Sequence, residues 1–327
     1  MAAPLVITHP SSYLHKPPGH PERPERIAAI EAALVADPAL RNVAMFELDL
    51  PSETPVPGAR GAREAVTGVH DDALVERVFR LGEEAEAHGN GEWLDADTYI
   101  GPGSLEAACG AVLSAREAAR RALAGDGGAV FSFSRPPGHH ATRALAMGFC
   151  FFNNVATAAQ LALDSGMQRV AIMDFDVHHG NGTQDIFYSR ADVLYISTHQ
   201  WPLYPGTGAA GETGAGAGEG YTLNVPLPAG TGDAGYLAAF DEAVIPALDR
   251  YEPELLLVSA GFDAHAADPL AGMEVTTAGF GQFAARLLDV AGRHSNGRSA
   301  WCLEGGYDLG AVGEGAAAVV AEAVKRG

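Results

Sequence analysis

Val170-Ala-Ile-Met-Asp174-Phe-Asp176-Val-His178-His179-Gly180 joins an apolar run to a polar cluster. The run Val170–Phe175 reads as a strand buried on both faces, as in a parallel sheet covered by helices. In extended chain, side chains two apart point to the same side, so Asp174, Asp176 and His178 converge at the strand end. Three ionisable groups leaving an apolar strand are costly to bury without a metal or partners. Two carboxylates and an imidazole suit zinc, and also iron or manganese.

Working outward, further apolar runs predict strands at Leu5–Thr8, Val43–Leu48, Ala129–Phe133, Val193–Ser197, Tyr221–Val225, Leu255–Ser259 and Ala300–Leu303. Helices are expected over Pro24–Ala36, Asp71–Glu86, Ser104–Ala124, Asn153–Ser165, Ala234–Leu248 and Thr276–Ala291. Alternating strands and helices imply a doubly wound α/β fold. Gly206–Gly220 lies between two strand candidates and reads as a loop. No repeat or polar linker divides the chain, so residues 1–327 are taken as one catalytic domain. In such folds ligands bind outside the carboxyl ends of the strands, and every polar cluster here follows a strand.

Ser259-Ala-Gly-Phe-Asp263-Ala-His265 supplies a further carboxylate after Leu255–Val258. Asp176, His178 and Asp263 together give three protein ligands and one open position, the layout of a catalytic zinc site. His265 and Asp268 read as loop and capping residues. Arg135-Pro-Pro-Gly-His139-His140 makes a stiff turn after Ala129–Phe133. One of its histidines can take a proton from water while the other stabilises developing charge. Cys302-Leu-Glu304-Gly-Gly-Tyr307 ends the last strand, with a tyrosine able to donate to an oxyanion.

Composition limits the alternatives. Hydrophobic residues make up 47% and charged residues 19% of the 327, ordinary for a globular protein. No run approaches the ~20 apolar residues of a membrane span. Met1–Leu5 lacks the basic-then-apolar pattern of a signal peptide. Cys109, Cys150 and Cys302 are odd in number and widely spaced, so no disulfide framework is expected and a cytoplasmic location fits. A net charge of −20 gives no electrostatic reason to bind nucleic acid. It is compatible with steering a cationic substrate, and with solubility alone. A homo-oligomer stays open but needs a specific interface.

Taken together, six segments resemble the histone deacetylase superfamily, which includes acetylpolyamine amidohydrolases and acetoin-utilisation proteins. They are Arg135–His140, Gly148-Phe-Cys-Phe-Phe-Asn-Asn154, Asp174–Gly182, Ser259–Asp263, Asp268-Pro-Leu270 and Glu304–Tyr307, in order along the chain. Gly19-His-Pro-Glu-Arg-Pro-Glu-Arg26 extends the match toward the N-terminus. The resemblance implies an arginase-like α/β fold with an eight-stranded parallel sheet flanked by helices. It implies zinc, or iron(II), on Asp176, His178 and Asp263. It makes His140 the general base and later acid, His139 its electrostatic partner, and Tyr307 the group that polarises the acetyl carbonyl. Asp174 would orient His139, and Asn181 would orient His140, as in the class II group. Gly148, Phe149, Tyr204 and Leu270 would line a tunnel for the acylated amine. Asp97 would sit at its rim and Arg26 near an internal acetate pocket. A potassium ion would be held by Asp174, Asp176, His178 and Ser197.

The implied activity is removal of an acetyl group from acetyl-lysine in a peptide or protein, with acetylated polyamine as the alternative substrate. Weakly active class IIa relatives carry His where this chain has Tyr307. Polyamine-selective relatives can carry an acidic residue where this chain has Leu270, which favours acetyl-lysine. Glu22 and Glu25 are the other candidate acidic selectors, set against a reading as a solvated helix start. An arginase-like two-manganese ureohydrolase should show Asp two residues beyond His178, where this chain has Gly180. A non-catalytic acyl-lysine binder would be expected to lose His140 or Tyr307.

Overall fold

Eight parallel strands form the centre of the molecule in a computed structural model that describes residues 3–52, 56–125 and 128–327. The first two residues of the Met1–Leu5 stretch lie outside the described residues. The strands of the main sheet are β1 (Leu5–Thr8), β2 (Ala44–Glu47), β5 (Ala129–Ser132), β6 (Val170–Asp174), β7 (Val193–Gln200), β8 (Thr222–Leu227), β9 (Leu255–Ala260) and β10 (Ser299–Leu303). A small antiparallel pair, β3 (Glu92–Trp93) and β4 (Tyr99–Ile100), stands apart from them. The order across the main sheet is β2-β1-β5-β10-β9-β6-β7-β8. All eight expected strands are present, and they form one sheet built from both halves of the chain.

Helices cover both faces, which is why most strand residues are apolar in both phases of the pleat. On one face, Val6, Phe131, Met173, Val258 and Trp301 pack with α1 (Glu25–Ala36), α9 (Thr277–His294) and α10 (Leu309–Arg326). On the other, Ile7, Val130, Ile172, Leu257 and Ala300 pack with α4 (Ser104–Ala124) and α5 (Asn154–Asp164). A third cluster joins α4 to α2 (Ala59–Thr67) and α3 (Asp72–His88). The edge strand β2 is mostly exposed, unlike the buried centre.

Local chemistry sets the helix starts. Asn153 caps α5 by accepting from the Ala156 amide at 3.0 Å, and Asp308 caps α10 through Ala311 at 2.9 Å. The continuous helix expected over Ala234–Leu248 is instead broken into α7 (Asp233–Ala239), a π turn at Phe240–Val244, and α8 (Ile245–Tyr251). Pro246 accounts for this, since it has no amide proton to donate back to the preceding turn. A short helix, α6 (Asn181–Phe187), follows β6 directly.

The sheet order decides where the chemistry sits. β5, β10, β9 and β6 are adjacent at its centre, and each is followed by one of the polar clusters. Segments up to 170 residues apart in sequence therefore meet at one carboxyl edge, as open α/β sheets allow.

Candidate active site

β6 and β9 deliver the carboxylates. One ligand atom each of Asp176, His178 and Asp263 lie within 4.8 Å of one another, and all three residues are buried. His178 Nδ1 is 3.1 Å from Asp263 Oδ2 and 3.3 Å from Asp176 Oδ1. The remaining oxygens are held by backbone: the Val177 amide donates to Asp263 Oδ1 at 2.9 Å, and the Gly305 amide donates to Asp176 Oδ2 at 2.7 Å. A Cβ at Gly261 would collide with Asp176, and one at Gly305 with Asp263. Glycine at these two positions leaves room for the carboxylates. Buried acids and an imidazole converging in this way match the donor set and open geometry of a divalent metal site.

The turn after β5 places the two histidines beside this group, with ring centres 4.0 Å apart. His139 Nδ1 is 3.1 Å from Asp174 Oδ2, which also accepts from the Tyr195 hydroxyl at 3.2 Å. His140 Nδ1 is 2.8 Å from Asn181 Oδ1 at the start of α6. An amide oxygen there requires the proton on Nδ1 and leaves Nε2 as the free base. The environments differ in sign. Burial works against a charge on His139, but the Asp176 and Asp174 carboxylates outweigh it and push its pKa up to about 10. Burial, reinforced by His139 and His178, drives His140 well below its ordinary value. Adjacent titratable groups pushed apart in this way can take different roles in proton transfer.

A cavity of about 240 Å³ opens onto this cluster, lined by Asp97, His140, Gly148, Phe149, His178, Leu203, Tyr204, Leu270 and Tyr307. Gly148 has φ +56°, and a Cβ there would press on the His140 ring at 2.5 Å. The Phe149 ring meets Tyr307 edge-on, with ring centres 5.7 Å apart. Burial keeps the Tyr307 phenol protonated, far above its usual pKa. The Tyr307 amide donates to Asp268 Oδ2 at 2.6 Å, and Leu270 N donates to Asp268 Oδ1 at 3.0 Å. Asp268 is thus a capping residue. His265 Nδ1 likewise accepts from the Ala267 amide at 3.1 Å.

One expected reading is overturned, that of Glu22, and Arg26 sits apart from the cavity lining. It is fully buried behind Tyr307, its guanidinium 5.0 Å from that ring centre, and donates from Nε to the Gly306 carbonyl at 2.6 Å. Glu22 is no solvated helix start. It is fully buried and ion-paired to both Arg135 and Arg26, and only Glu25 is an exposed residue of the first helical turn. The physical reason is the Arg135 side chain, which needs a buried anion and reaches Glu22 across 113 residues of sequence. Ser197 pairs with Asp174 across β6 and β7, and its hydroxyl is 2.9 Å from His199 Nδ1.

Sequence reasoning gave no role to Leu203 or Glu304. Leu203 walls the cavity beside Tyr204. Glu304 is an acid at the end of an apolar strand, and that alone marks it as needing a buried partner.

The histone deacetylase domain matches residues 20–323 of this chain. The chain belongs to the histone deacetylase family. It is 39% identical over 307 residues to a probable deacetylase of Archaeoglobus fulgidus, covering 93% of this chain and 81% of that one. It is 40% identical over 314 residues to a histone deacetylase-like amidohydrolase of Pseudomonas aeruginosa, covering 94% and 78%. A crystal structure of the HDA15 HD domain superposes with a TM-score of 0.88 at 35% identity, over 99% of this chain and 88% of the other. An acetylpolyamine aminohydrolase from Burkholderia pseudomallei superposes with a TM-score of 0.83 at 31% identity, over 97% of each chain. The arginase/deacetylase-like fold and the deacetylase or amidohydrolase class follow from family membership. Among the described residues no helix is long and apolar enough to cross a membrane.

Proposed function

We propose that this member of the family is a zinc-dependent deacetylase acting on acetyl-lysine or a related acylated amine. The observation that carries the reading is one cavity bringing His140, His178 and Tyr307 together, with Asp176 and Asp263 converging on His178. Asp176, His178 and Asp263 are the proposed holders of zinc, with iron(II) admissible on the same donors. When bound, such an ion supplies Lewis acidity toward a carbonyl oxygen and makes a water more acidic.

The chain's own residues then have separable tasks. His140 Nε2 takes the proton from the attacking water, because Asn181 fixes the other ring proton on Nδ1. Tyr307 donates a hydrogen bond from its hydroxyl to the carbonyl oxygen as charge develops there, keeping its own proton. His139, tied to Asp174, stabilises that charge electrostatically. His140 returns its proton to the leaving amine nitrogen as the C–N bond breaks. Phe149, Leu203, Tyr204 and Leu270 hold the aliphatic stem of the substrate and keep the reacting groups dry. Asp174 and Ser197, paired across neighbouring strands, are the proposed potassium holders.

A second reading, acetylpolyamine hydrolysis, is supported by Asp97 lining the cavity, Asp95 two residues before it, and the likeness to the Burkholderia pseudomallei enzyme. The apolar Leu270 in the lining favours the first reading. The test is kcat/KM of the zinc-loaded protein on an acetyl-lysine peptide, acetylputrescine and acetylspermidine side by side. Peptide preference is expected, and polyamine preference would overturn the substrate assignment. His140→Ala and Tyr307→Phe should each lose at least ~100-fold in kcat. Near-normal turnover in either variant would remove the assigned role.

A further inference from the structure

Glu304 has no part in the scheme above, yet it is a fully buried carboxylate at the centre of the sheet's carboxyl edge. No Lys or Arg among the described residues is ion-paired to it, in contrast to Glu22. Its partners are donors from two other segments. Oε2 accepts from the amide of Gly138 at 2.7 Å and of His139 at 3.1 Å. Oε1 accepts from the Ser259 hydroxyl at 3.1 Å. Its own amide donates to the Ala260 carbonyl at 3.0 Å, fixing β10 to β9.

The other side of the same turn is held as well. The His139 carbonyl accepts from the amides of Gly182 and Thr183 at 3.0 and 3.1 Å, both in α6. The backbone of His139 is therefore gripped at its amide by Glu304 and at its carbonyl by the helix that carries Asn181. Asn181 in turn contacts the His140 ring. The turn has few amide donors of its own, since it contains two prolines; its start is tied by the Arg135 side chain and by Asn154 Nδ2 donating to the Pro136 carbonyl at 3.0 Å.

We propose that Glu304 is a positioning residue for the His139–His140 pair, acting through acceptor oxygens that hold the Gly138 and His139 amides; the claim rests on the deacetylase reading above. Reach, and not negative charge, is what the geometry uses. A glutamine keeps a carbonyl oxygen at the same distance and has an amide to offer Ser259. An aspartate keeps the charge but withdraws the acceptor by one methylene. Misplacement of a catalytic group by about 1 Å costs on the order of 100-fold in rate.

Glu304→Asp and Glu304→Gln distinguish the two contributions. Both are measured as zinc-loaded proteins of verified metal content and thermal midpoint, on whichever acylated amine the wild type turns over. Glu304→Asp should lose about 100-fold in kcat with KM within about threefold, and Glu304→Gln should stay within about tenfold of wild type. Amide hydrogen exchange at Gly138 and His139 should accelerate in the aspartate variant and stay protected in the glutamine variant. The reverse kinetic ranking, or full kcat in Glu304→Asp, would overturn the proposal. A wild type inactive on every acylated amine would instead defeat the deacetylase reading. The exchange measurement, which needs no turnover, would still decide whether Glu304 clamps the turn.

Discussion

Two buried polar clusters lie on either side of Tyr307, and they are balanced differently. Behind the ring, Glu22 is surrounded by Arg135, Arg26 and His15, so that one anion meets two permanent cations. On the cavity side, the basic side chains paired with Asp174, Asp176 and Asp263 are His139 and His178, with no Lys or Arg ion pair among the described residues. The first cluster is complete in protein alone. The second concentrates negative charge that protein does not neutralise, in a place where leaving it uncompensated is expensive. Buried acids that outnumber the permanent cations beside them mark a cation-binding site, whereas a buried acid met by arginines is a structural tie.

The largest expected effect tests the unbalanced cluster. Chelation should abolish turnover, and zinc should restore it. Added zinc should also raise the thermal midpoint, by an amount equivalent to about 2.7 kcal/mol at a hundredfold excess over Kd. Asp263→Asn should lose both responses. A chelated protein that keeps its activity would break the comparison at once, since Asp174, Asp176 and Asp263 would then be tolerated without a cation.

The arginine-paired cluster gives a smaller effect, on stability. The Glu22 carboxyl is fully buried, yet Arg135, then His15 and Arg26, outweigh that burial and hold it down to about 2. The sign follows: because the folded pKa lies below the unfolded one, the contribution is fully present above pH about 4.5 and is lost as the pH falls toward 2. The displacement corresponds to about 3 kcal/mol. Glu22→Gln should lower stability by ~3–5 kcal/mol, the scale for breaking a buried pair. It should also flatten the acid limb between pH 4.5 and 2 in urea titrations. An unchanged acid limb would mean that Glu22 is not the anion those arginines require.

The same contrast separates what was legible in the sequence from what was not. All eight main strands were readable: in the central ones burial on both faces writes a continuous apolar run, and the exposed edge strand β2 was legible only from its own apolar residues. The end of β7 was not: Thr198, His199 and Gln200 are polar yet buried, and the latter two bond loop groups at Gly208 and Gly272. Helix α10 was obscured by Gly310, Gly313 and Gly315, which weaken helical propensity. Two of these serve close packing, since a Cβ would meet the Ala29 carbonyl at 2.7 Å from Gly313 and Phe262 at 2.6 Å from Gly315. In the site, the donor spacing within Asp174–His178 was visible because it is local. Glu22 was misread and Glu304 passed over because their partners, Arg135, Gly138 and His139, are more than a hundred residues away and leave no periodic trace.

A third group of acids, Asp95 and Asp97, shows how far the comparison extends. Asp97 lines the cavity and is only half-buried. Its carboxyl is raised, by partial burial first and by neighbouring Asp95 second. Neither acid is ion-paired among the described residues, so the group carries uncompensated acids like the cluster of Asp174, Asp176 and Asp263. Being wet, it is screened and cannot hold a cation tightly on its own. It can still bias which substrate arrives. Asp97→Asn keeps an acceptor oxygen for a peptide amide and removes the charge that a polyammonium would feel. For a peptide substrate the change in kcat/KM should be under about threefold. For acetylspermidine it should fall by about tenfold at low salt, and the difference should shrink as ionic strength rises past ~0.15 M. Equal losses on both substrates would show that Asp97 acts by hydrogen bonding alone, and that imbalance at the exposed rim carries no selectivity.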